Sequence, residues 1–500
     1  MNHQSTMASQ EGSSQTINLK VLIDKKNNRV VMAEAESDFV DILFNFLTMP
    51  MGTIVRLISK HPEPANSGSL TSLYQWVENL DEQLLQNQAC KSMLLHPKNP
   101  YEEEYGRKLK LNIDATKYYI CADWNCSREN YGLFSAFKND RCNCGKMMDR
   151  EIRRNKEYVA GDGGVFVFGK SKFMVTDDLQ VKSISPATIV TLLDKVGIKD
   201  KRSLQETTLN IGSEEILNLL KRSLFSKTPL TDVFVRKQGI STSEGLNFEI
   251  ADAVQSKSSG STLYRFPRDM SMKLMMSKSI NKALYSEAGE DLVNFLLSFL
   301  TLPLGSILQL LGGNSLLGSM DNLYMSVAWS RITKTDTIRD LLLHPCLCRG
   351  SYNPLGLNEI DGQPDSLRCT SYQNPQNKDD NPYTAYLTTE RQPDHGRTSE
   401  CCKYLQLKFP PSGGGFLKGP ANFMVTDNLV FKPLVSNWSH CLSFVTQFKV
   451  PLDDLEVREI NVGREQALRL LKFYLFSKSV PTDALQAIFN FELKSPKQEE

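Results

Sequence analysis

The sequence predicts an α+β fold made of two tandem homologous domains, each with β-hairpins and segregated helices. Three observations lead to this prediction. The chain contains an internal repeat, its first copy opens on a hairpin pattern, and apolar residues then recur at helical spacing in both copies. At roughly 100 to 200 residues per domain, a chain of 500 residues allows two to four units, and the repeat reduces this number to two.

The repeat consists of five blocks that occur in the same order in both halves of the chain. Residues 19–57 align without a gap on residues 272–310, and the most similar part is FLTMPMG at 46–52 against FLTLPLG at 299–305. The later blocks pair 95–97 with 343–345, 173–177 with 423–427, 224–227 with 475–478, and the dipeptide 231–232 with 482–483. Five collinear matches indicate two copies of one domain.

The repeat also sets the predicted domain boundaries. They are a disordered lead at 1–16, a first domain at 17–237 with a Cys-rich insertion at 118–147, a linker at 238–270, a second domain at 271–492 with a polar insertion at 349–400, and a polar tail at 493–500. The linker contains many Ser and Gly residues. The polar insertion is too long for a structureless loop in a compact domain, unless it is disordered or functional.

The first predicted elements are a hairpin and an amphipathic helix. Residues 19–23 and 30–34 form strand-like runs on either side of a polar turn. Asp38 is the predicted N-cap of the helix, and Pro50 ends it. Its apolar stripe consists of Phe39, Ile42, Leu43, Phe46 and Leu47, which the second copy repeats as Leu292, Phe295, Leu296, Phe299 and Leu300.

The later elements of the first copy are a strand, turn and strand at 173–181 and a helix that begins at Ser213. Glu214 and Glu215 lie in the first turn of this helix, where acidic residues are favoured. Its predicted buried face consists of Ile216, Leu219, Leu220 and Leu224. Because hairpins and helices are grouped rather than alternating, the sequence excludes a fold of repeated βαβ units.

Four cysteines of the first copy have the pattern of a metal site. Cys121 and Cys126 form one pair, and Cys142 and Cys144 form a second pair after an intervening loop. Two close pairs of thiolates are what tetrahedral Zn²⁺ requires, and Gly145 allows the tight turn that a C-x-C pair needs. The alternative is four reduced, partly buried thiols. Since the second copy lacks the C-x-C-G turn, we predict one zinc site.

A basic run at 138–156 lies beside these cysteines. A zinc knuckle with a basic flank can hold single-stranded nucleic acid, with bases stacked on residues such as Phe137 or Tyr158. The alternative is a solvated charged face. The candidate nucleic-acid-binding residues are Lys138, Arg141, Lys146, Arg150, Arg153, Arg154 and Lys156.

Residues 164–171 match the phosphate-loop pattern G-x-x-x-x-G-K-[ST]. A phosphate cradle needs a flexible loop between a strand and a helix, whereas residues 165–168 are themselves a strand-forming run. We therefore interpret Gly169 and its counterpart Gly419 as turn residues.

Two histidines and two aspartates suggest an enzyme. His96 and His344 occupy equivalent positions in the two copies, as do Asp177 and Asp427. The alternative is a packing histidine at a helix end and an Asx turn. Because no Ser or Cys nucleophile recurs beside them, we assign no catalytic residue.

Composition and termini indicate the compartment. A balance of 58 Lys+Arg against 57 Asp+Glu excludes a chain whose whole surface binds nucleic acid or anionic membranes. The N-terminus lacks the features of a secretory signal, and polar residues interrupt the apolar stretch at 292–311. Eleven irregularly spaced cysteines fit reduced thiols. We expect an intracellular protein, cytoplasmic or nuclear, without a transmembrane helix or a membrane partner.

Together these blocks resemble a plant-specific domain-of-unknown-function family, number 674. The resemblance rests on the segments KVLIDK (20–25), FLTMPMG (46–52), YYIC to CNCGKM (118–147), FMVTDDL (173–179) and SLFSKTPLTD (223–232). It covers most of both copies and implies the tandem layout, but no established activity, substrate or partner. Members commonly have a C-x2-C first pair, where this chain has C-x4-C.

We therefore expect a non-enzymatic protein-interaction module with an unknown protein partner and a structural zinc in its first copy. One alternative is a single-stranded nucleic-acid-binding protein that uses the zinc-like region and the basic run. The other alternative is an enzyme of unknown reaction.

Overall fold

The structure is a computed structural model. The residues that it describes are 16–59, 69–99, 117–123, 126, 132–154, 164–236, 270–280, 282–348, 351–360, 366–373, 383–388, 402–408, 415–419, 421–434, 446–477 and 479–484. Apart from residues 16 and 270, the predicted lead, linker and tail lie outside this part of the chain.

Strands and helices occur in both halves of the chain, and the sheets are largely antiparallel, which confirms the α+β class. The first half contains β1 (Ile17–Asp24), β2 (Arg29–Glu36), α1 (Ser37–Thr48), α2 (Met51–Ser59), α3 (Ser69–Glu78), α4 (Gln88–Leu95), β3 (Tyr118–Cys121), β4 (Gly132–Ser135), β5 (Asp140–Arg141), β6 (Met147–Arg154), β7 (Lys172–Thr176), β8 (Val181–Ser183), α5 (Pro186–Lys195), β9 (Leu204–Ile211) and α6 (Ser213–Phe225).

The second half follows the first with a comparable series of elements. It contains β10 (Ser271–Ser277), β11 (Lys282–Gly289), α7 (Glu290–Ser298), α8 (Leu304–Leu310), α9 (Met320–Trp329), α10 (Asp336–Leu343), β12 (Leu347–Cys348), β13 (Glu359–Ile360), β14 (Ser366–Gln373), β15 (Tyr383–Thr388), β16 (Cys402–Leu407), β17 (Asn422–Thr426), β18 (Phe431–Pro433), β19 (Leu455–Asn461) and α11 (Arg464–Phe476).

Each half builds a five-stranded antiparallel sheet. The strand order is β8-β7-β2-β1-β9 in the first half and β18-β17-β11-β10-β19 in the second. Lys20 lies opposite Glu34, and Lys273 lies opposite Glu287. The hairpins have their register shift at corresponding places, after Leu22 and after Met275. The two sheets therefore agree in strand order, register and irregularity.

The helix after the first hairpin differs from its prediction at the N-terminus. It begins at Ser37, and its N-cap is Glu36, which makes no side-chain capping bond. Asp38 lies inside the first turn, so it is not the N-cap. Its carboxylate is still favoured there, because the N-terminal end of a helix carries partial positive charge. The helix ends before Pro50, as the sequence predicts.

The repeated segment at 46–52 and 299–305 forms a reciprocal contact between the halves. The Met51 N–H donates to the Leu302 carbonyl at 2.9 Å, and the Leu304 N–H donates to the Met49 carbonyl at 3.0 Å. Equivalent atoms thus bond to each other across an approximate twofold axis, as in an isologous interface. A glycine is favoured at position 52, because a Cβ atom there would lie 3.0 Å from the Leu300 carbonyl oxygen of the other half and 2.7 Å from the Leu94 carbonyl oxygen of its own.

Helices of each half pack against the other half. The N–H of Ser69, at the start of α3, donates to the carbonyl of Ser477 at 3.1 Å, and the Trp76 ring packs on Phe431 of β18 at 4.7 Å. In the reciprocal direction, the Ser319 N–H donates to the Ser223 carbonyl at 3.0 Å. Each sheet is therefore completed by helices from the other half, and one apolar cluster runs through both halves.

The two halves build a third sheet together. Its order is β15-β14-β16-β4-β3-β6-β5, and β15 also pairs with β6, so six strands close on themselves. Each half supplies three of these six strands. The parallel pairs β16–β4 and β15–β6 join the halves. The predicted polar insertion at 349–400 thus includes two strands, β14 and β15, of this shared sheet.

In the part of the chain that the structure describes, every helix is too short or too polar to cross a bilayer.

Candidate metal centre

Three of the four cysteines are placed by β3 and by the β5–β6 hairpin. Cys121 is the last residue of β3, and Cys142 and Cys144 lie in the turn between β5 and β6. The Gly145 N–H donates to the Cys142 carbonyl at 2.9 Å, and Gly145 has a φ of +84°. A side chain other than that of glycine rarely adopts this backbone conformation. The predicted tight turn at Gly145 is confirmed.

The sulfur atoms of Cys121, Cys126, Cys142 and Cys144 all lie within 4.8 Å of one another. The Cys121 and Cys144 sulfurs are 3.5 Å apart, and the Cys126 and Cys142 sulfurs are 3.7 Å apart. A regular tetrahedron with Zn–S bonds of about 2.3 Å has S···S edges of about 3.8 Å. The cluster is therefore close to the size of a Cys₄ zinc site, in spite of the C-x4-C spacing of its first pair.

The protonation of these thiols depends on their position. The Lys146 backbone N–H that reaches the Cys144 sulfur lowers the pKa of this exposed thiol to about 7. Burial raises the pKa of Cys121 to about 11, and it also raises the pKa of Cys126. Since the thiolate is the metal ligand, Cys144 is the first group able to bind a cation, and binding releases protons from the other thiols.

Neighbouring residues fix the two cysteine-bearing segments to each other. The Lys146 ammonium donates to the Asp123 carboxylate at 2.6 Å, and the Ala122 N–H donates to the Met147 carbonyl at 2.9 Å. Met148 is fully buried and packs with Cys121 and Cys142 in a small apolar cluster. This shell orients the sulfurs before any ion binds, which is the role of outer-shell residues at metal sites.

The model of a family described as "Protein of unknown function (DUF674)" matches residues 13–485. The chain belongs to the DUF674 family. The comparisons with curated proteins and with solved structures yield no match. The function of this DUF674 member must therefore be argued from its own residues.

The described residues of the basic run in this DUF674 member fall into two groups. Lys146 and Arg150 bond to the loop before Cys126, since the Arg150 guanidinium donates to the Ala122 carbonyl at 3.3 Å. Lys138 and Arg141 are exposed. The side chains of Arg153 and Arg154, and all of Lys156, lie outside the described residues.

The two candidate stacking residues do not support nucleic-acid binding in the predicted way. Phe137 is only 8% exposed, because its ring packs into the core beneath the Lys98 ammonium. A buried ring offers no face to a base, so the prediction for Phe137 is wrong. Tyr158 lies outside the described residues.

The phosphate-loop-like segment at 164–171 binds the carboxylate of another residue of the chain, Asp41. The N–H groups of Val165, Phe166 and Val167 donate to the Asp41 carboxylate of α1 at 2.6, 2.7 and 3.1 Å. The run at 165–168 is thus a cradle rather than the predicted strand, because its amides point to Asp41 instead of a neighbouring strand. Gly169 lies in a turn, as predicted. Asp41 is 3% exposed, and burial raises its pKa to about 6.

The aspartates of the enzyme hypothesis have the same structural task in both halves. Asp177 accepts hydrogen bonds from the N–H and hydroxyl groups of Thr231, at 2.8 and 2.6 Å. Asp427 accepts from the N–H of Thr482 at 2.9 Å. Each aspartate therefore connects the turn after β7 or β17 to the short helical segment that follows α6 or α11.

His96 lies apart from Asp177, and both histidines lie at helix ends. His96 and His344 are the C-caps of α4 and α10, which confirms the predicted position at a helix end. His96 lines a cavity beside α2, whereas Asp177 lines a different cavity beneath α5. The structure does not bring His96 and Asp177 into one site.

Sequence reasoning missed Asp41 and Asp123 as residues that organise loops. A signal for Asp41 existed, because it interrupts an apolar helix and Asn294 occupies the same position in the second copy. No pattern in the sequence indicates that Asp123 pairs with Lys146.

Proposed function

We propose that this DUF674 protein is a non-catalytic protein-interaction module in which Cys121, Cys126, Cys142 and Cys144 hold one structural zinc ion. The observation that carries the proposal is the cluster of four sulfurs within 4.8 Å, with the spacing of a ZnS₄ tetrahedron. Four thiolates leave no open coordination position for substrate or water, so the ion stabilises structure rather than catalysing a reaction.

The position of the cluster supports a structural role. It lies at one end of β3 and β6, two strands of the sheet to which both halves contribute. Zinc would connect the β5–β6 hairpin to β3 and so stabilise the part of this sheet that the first half supplies. In small zinc domains the ion contributes on the order of 10 kcal/mol to folding.

An exposed tryptophan supports the interaction role. Trp329 ends α9 and is 83% exposed. Tryptophan is enriched among the residues that dominate protein–protein binding energies, whereas a fully solvated indole contributes little to a monomer. We place Trp329 in the surface that contacts a protein partner.

Metal analysis of the purified full-length protein tests the zinc. We expect about one equivalent of zinc per chain, the number of clusters proposed, with a lower melting temperature after chelation. Cys142→Ser should lose the metal and the stabilisation. Cys90→Ser is the matched control, since Cys90 is equally buried but lies outside the cluster. Zinc far below half an equivalent, or equal melting temperatures for the two variants, would refute the structural zinc.

The interaction role has a separate test. Affinity purification with the wild-type protein, followed by reconstitution with the purified partner, should give a complex that Trp329→Ala weakens by tenfold or more, or about 1.4 kcal/mol. Val190→Ala is the control, because Val190 is also exposed but lies on α5. An equal loss in both variants, or a loss in neither, contradicts the assignment of Trp329.

Two exposed cations favour a second candidate function, the binding of single-stranded nucleic acid. Lys138 and Arg141 are free of the loop contacts that Lys146 and Arg150 make. Titration of a short single-stranded RNA at two salt concentrations tests this role, since contacts to phosphates give affinity that falls with salt. Lys138→Gln together with Arg141→Gln should reduce both the affinity and the salt slope. Binding without a salt slope excludes it.

A further inference from the structure

A cavity of about 180 Å³ lies where the shared sheet meets the helices of the first half. Its lining contains five side chains that carry or can carry positive charge, namely Arg56, His96, Lys98, Lys117 and Lys138. None of the described residues that line it is an Asp or a Glu. A concave site lined by charge of one sign concentrates ligands of the opposite sign.

Arg56 provides the most strongly held of these charges. It lies on α2, in an otherwise apolar stretch between Val55 and Leu57, and it is only 8% exposed. A guanidinium group stays protonated at all physiological pH values and offers several donors in a fixed plane. Because the helix backbone is packed on both sides of Arg56, its side chain has little freedom to leave the cavity.

The other cations surround this group from three different segments. His96 and Lys98 follow α4, and the Lys98 ammonium lies 5.9 Å from the centre of the Phe137 ring. Lys117 precedes β3, and its ammonium also lies 3.1 Å from the Glu151 carboxylate. The cationic lining is thus assembled by tertiary structure rather than by one exposed helix face.

The uncharged part of the lining is also rich in donors. Thr53 and Ser92 contribute hydroxyl groups, and Asn99 contributes an amide whose nitrogen donates to the Thr48 hydroxyl at 3.1 Å. The volume equals that of about six water molecules at roughly 30 Å³ each, and it is below the roughly 300 Å³ at which pockets for drug-sized ligands begin. The cavity therefore suits a compact anion with several oxygen acceptors.

The second half shows that the fold does not require these cations. At the offsets of the repeat, Gln309 stands where Arg56 stands, Asp340 where Ser92 stands, and Cys346 where Lys98 stands. Gln309 is exposed, although α8 otherwise packs like α2. The second half thus builds the same helix and turn with neutral or acidic residues at these three positions, and the cationic lining is a feature of the first half.

We propose that this cavity binds a phosphate group, either free or carried by a small molecule. Arg56 binds two phosphate oxygens through its planar guanidinium, Lys98 adds a second positive charge, and His96, Thr53, Ser92 and Asn99 supply further donors. Guanidinium and phosphate match in geometry, and such charge-assisted bonds are about twice as strong as neutral ones. The lining contains none of the four cysteines.

Calorimetric titration of the full-length protein at constant ionic strength tests the proposal. Inorganic phosphate and glycerol 3-phosphate are titrated separately, with chloride as the reference. We expect saturable binding of one anion per chain. If glycerol 3-phosphate binds more tightly than inorganic phosphate, the ligand is a phosphorylated small molecule. If glycerol 3-phosphate binds equally or more weakly, the ligand is the free anion. Arg56→Gln, which copies Gln309, should weaken binding by about tenfold or more.

Two further variants keep the result interpretable. Lys98→Gln removes a cation at the cavity rim, so it tests the site even if Arg56→Gln does not fold. Lys199→Gln removes one positive charge from an exposed position outside the cavity and should leave the affinity unchanged. Absence of saturable binding, or an equal loss of affinity in Lys98→Gln and Lys199→Gln, overturns the proposal.

The chain's own acidic residues provide the last control. Glu102, Glu103 and Glu104 follow Asn99 in the sequence and lie outside the described residues. Phosphate should bind to the wild-type protein and to the variant with all three changed to Gln. Binding that appears only in this variant would show that an internal carboxylate is the native anion, which also overturns the proposal.

Discussion

The two halves of the molecule share a scaffold but differ in chemistry. Both have the same sheet order, and in both the turn aspartate bonds to a threonine, Asp177 to Thr231 and Asp427 to Thr482. The cysteine cluster and the cationic cavity belong to the first half. Residues that recur in both halves therefore explain the fold, and residues that differ between them indicate where function lies. By this criterion the recurring aspartates belong to the fold.

The largest expected effect concerns the exchange of helices between the halves. Residues 17–237 expressed alone should not give a stable monomer, because α3 loses its contacts with β18 and α11 and the apolar cluster is cut open. Size-exclusion chromatography with light scattering should show a homodimer or aggregates. Co-expression with residues 271–492 should restore a one-to-one complex with cooperative unfolding. A monomeric, cooperatively folded half would contradict the exchange.

A smaller effect is expected at the reciprocal contact. Gly52→Ala and Gly305→Ala each place a Cβ atom 3.0 Å from a carbonyl oxygen of the other half, and 2.7 to 2.8 Å from one of its own half. Overpacking of this kind costs about 1 to 3 kcal/mol per site. The double variant should therefore lose about 2 to 6 kcal/mol of unfolding free energy in urea. Gly289→Ala is the control, because a Cβ atom there has no neighbour within 4 Å. Equal stability of the double variant and the control would show that the contact is not tight.

The sequence is sufficient to predict much of this fold, since α+β class, hairpins, the first helix stripe and its end at Pro50 follow from local patterns. It also identifies the four cysteines, because their ligand pairs are close in sequence. It does not predict the exchange of helices or the shared sheet. Both features depend on whether a surface packs against its own half or against the other half. Because two similar halves have similar surfaces, the sequence pattern cannot distinguish the two arrangements.

The site beside Arg56 escaped sequence reasoning for a related reason. Its cations come from α2, from the segment after α4 and from the strands of the insertion, which are distant in sequence. At 164–171 the sequence favours a strand-forming run over a phosphate cradle, whereas the structure has a cradle there. Its successive amides do hold an anion, but the anion is Asp41, more than 120 residues earlier in the chain.

The smallest expected effect is a pH dependence of the unfolding free energy. Asp41 introduces it in the first half, whereas the equivalent Asn294 of the second half does not titrate. Asn294 accepts from the Phe416 and Leu417 N–H groups at 2.8 and 3.0 Å, so a neutral side chain supports the same cradle. Burial raises the pKa of Asp41 to about 6 from 3.8. The folded state therefore holds this proton more tightly than the unfolded state. The stabilisation of the folded state by the protonated Asp41 carboxyl is therefore fully present below pH 4 and is lost as the pH rises towards 6.

Comparison of the wild type with Asp41→Asn isolates this contribution from that of the other acids. The stability difference between the two proteins should shift by about 1 to 3 kcal/mol between pH 4 and pH 7 in favour of the variant. Asn294→Asp makes the reciprocal change and should add a similar loss with rising pH. Urea unfolding at several pH values measures both. Parallel stability curves for the wild type and Asp41→Asn would mean that the cradle of three N–H groups stabilises the ionised carboxylate enough to cancel the cost of its burial.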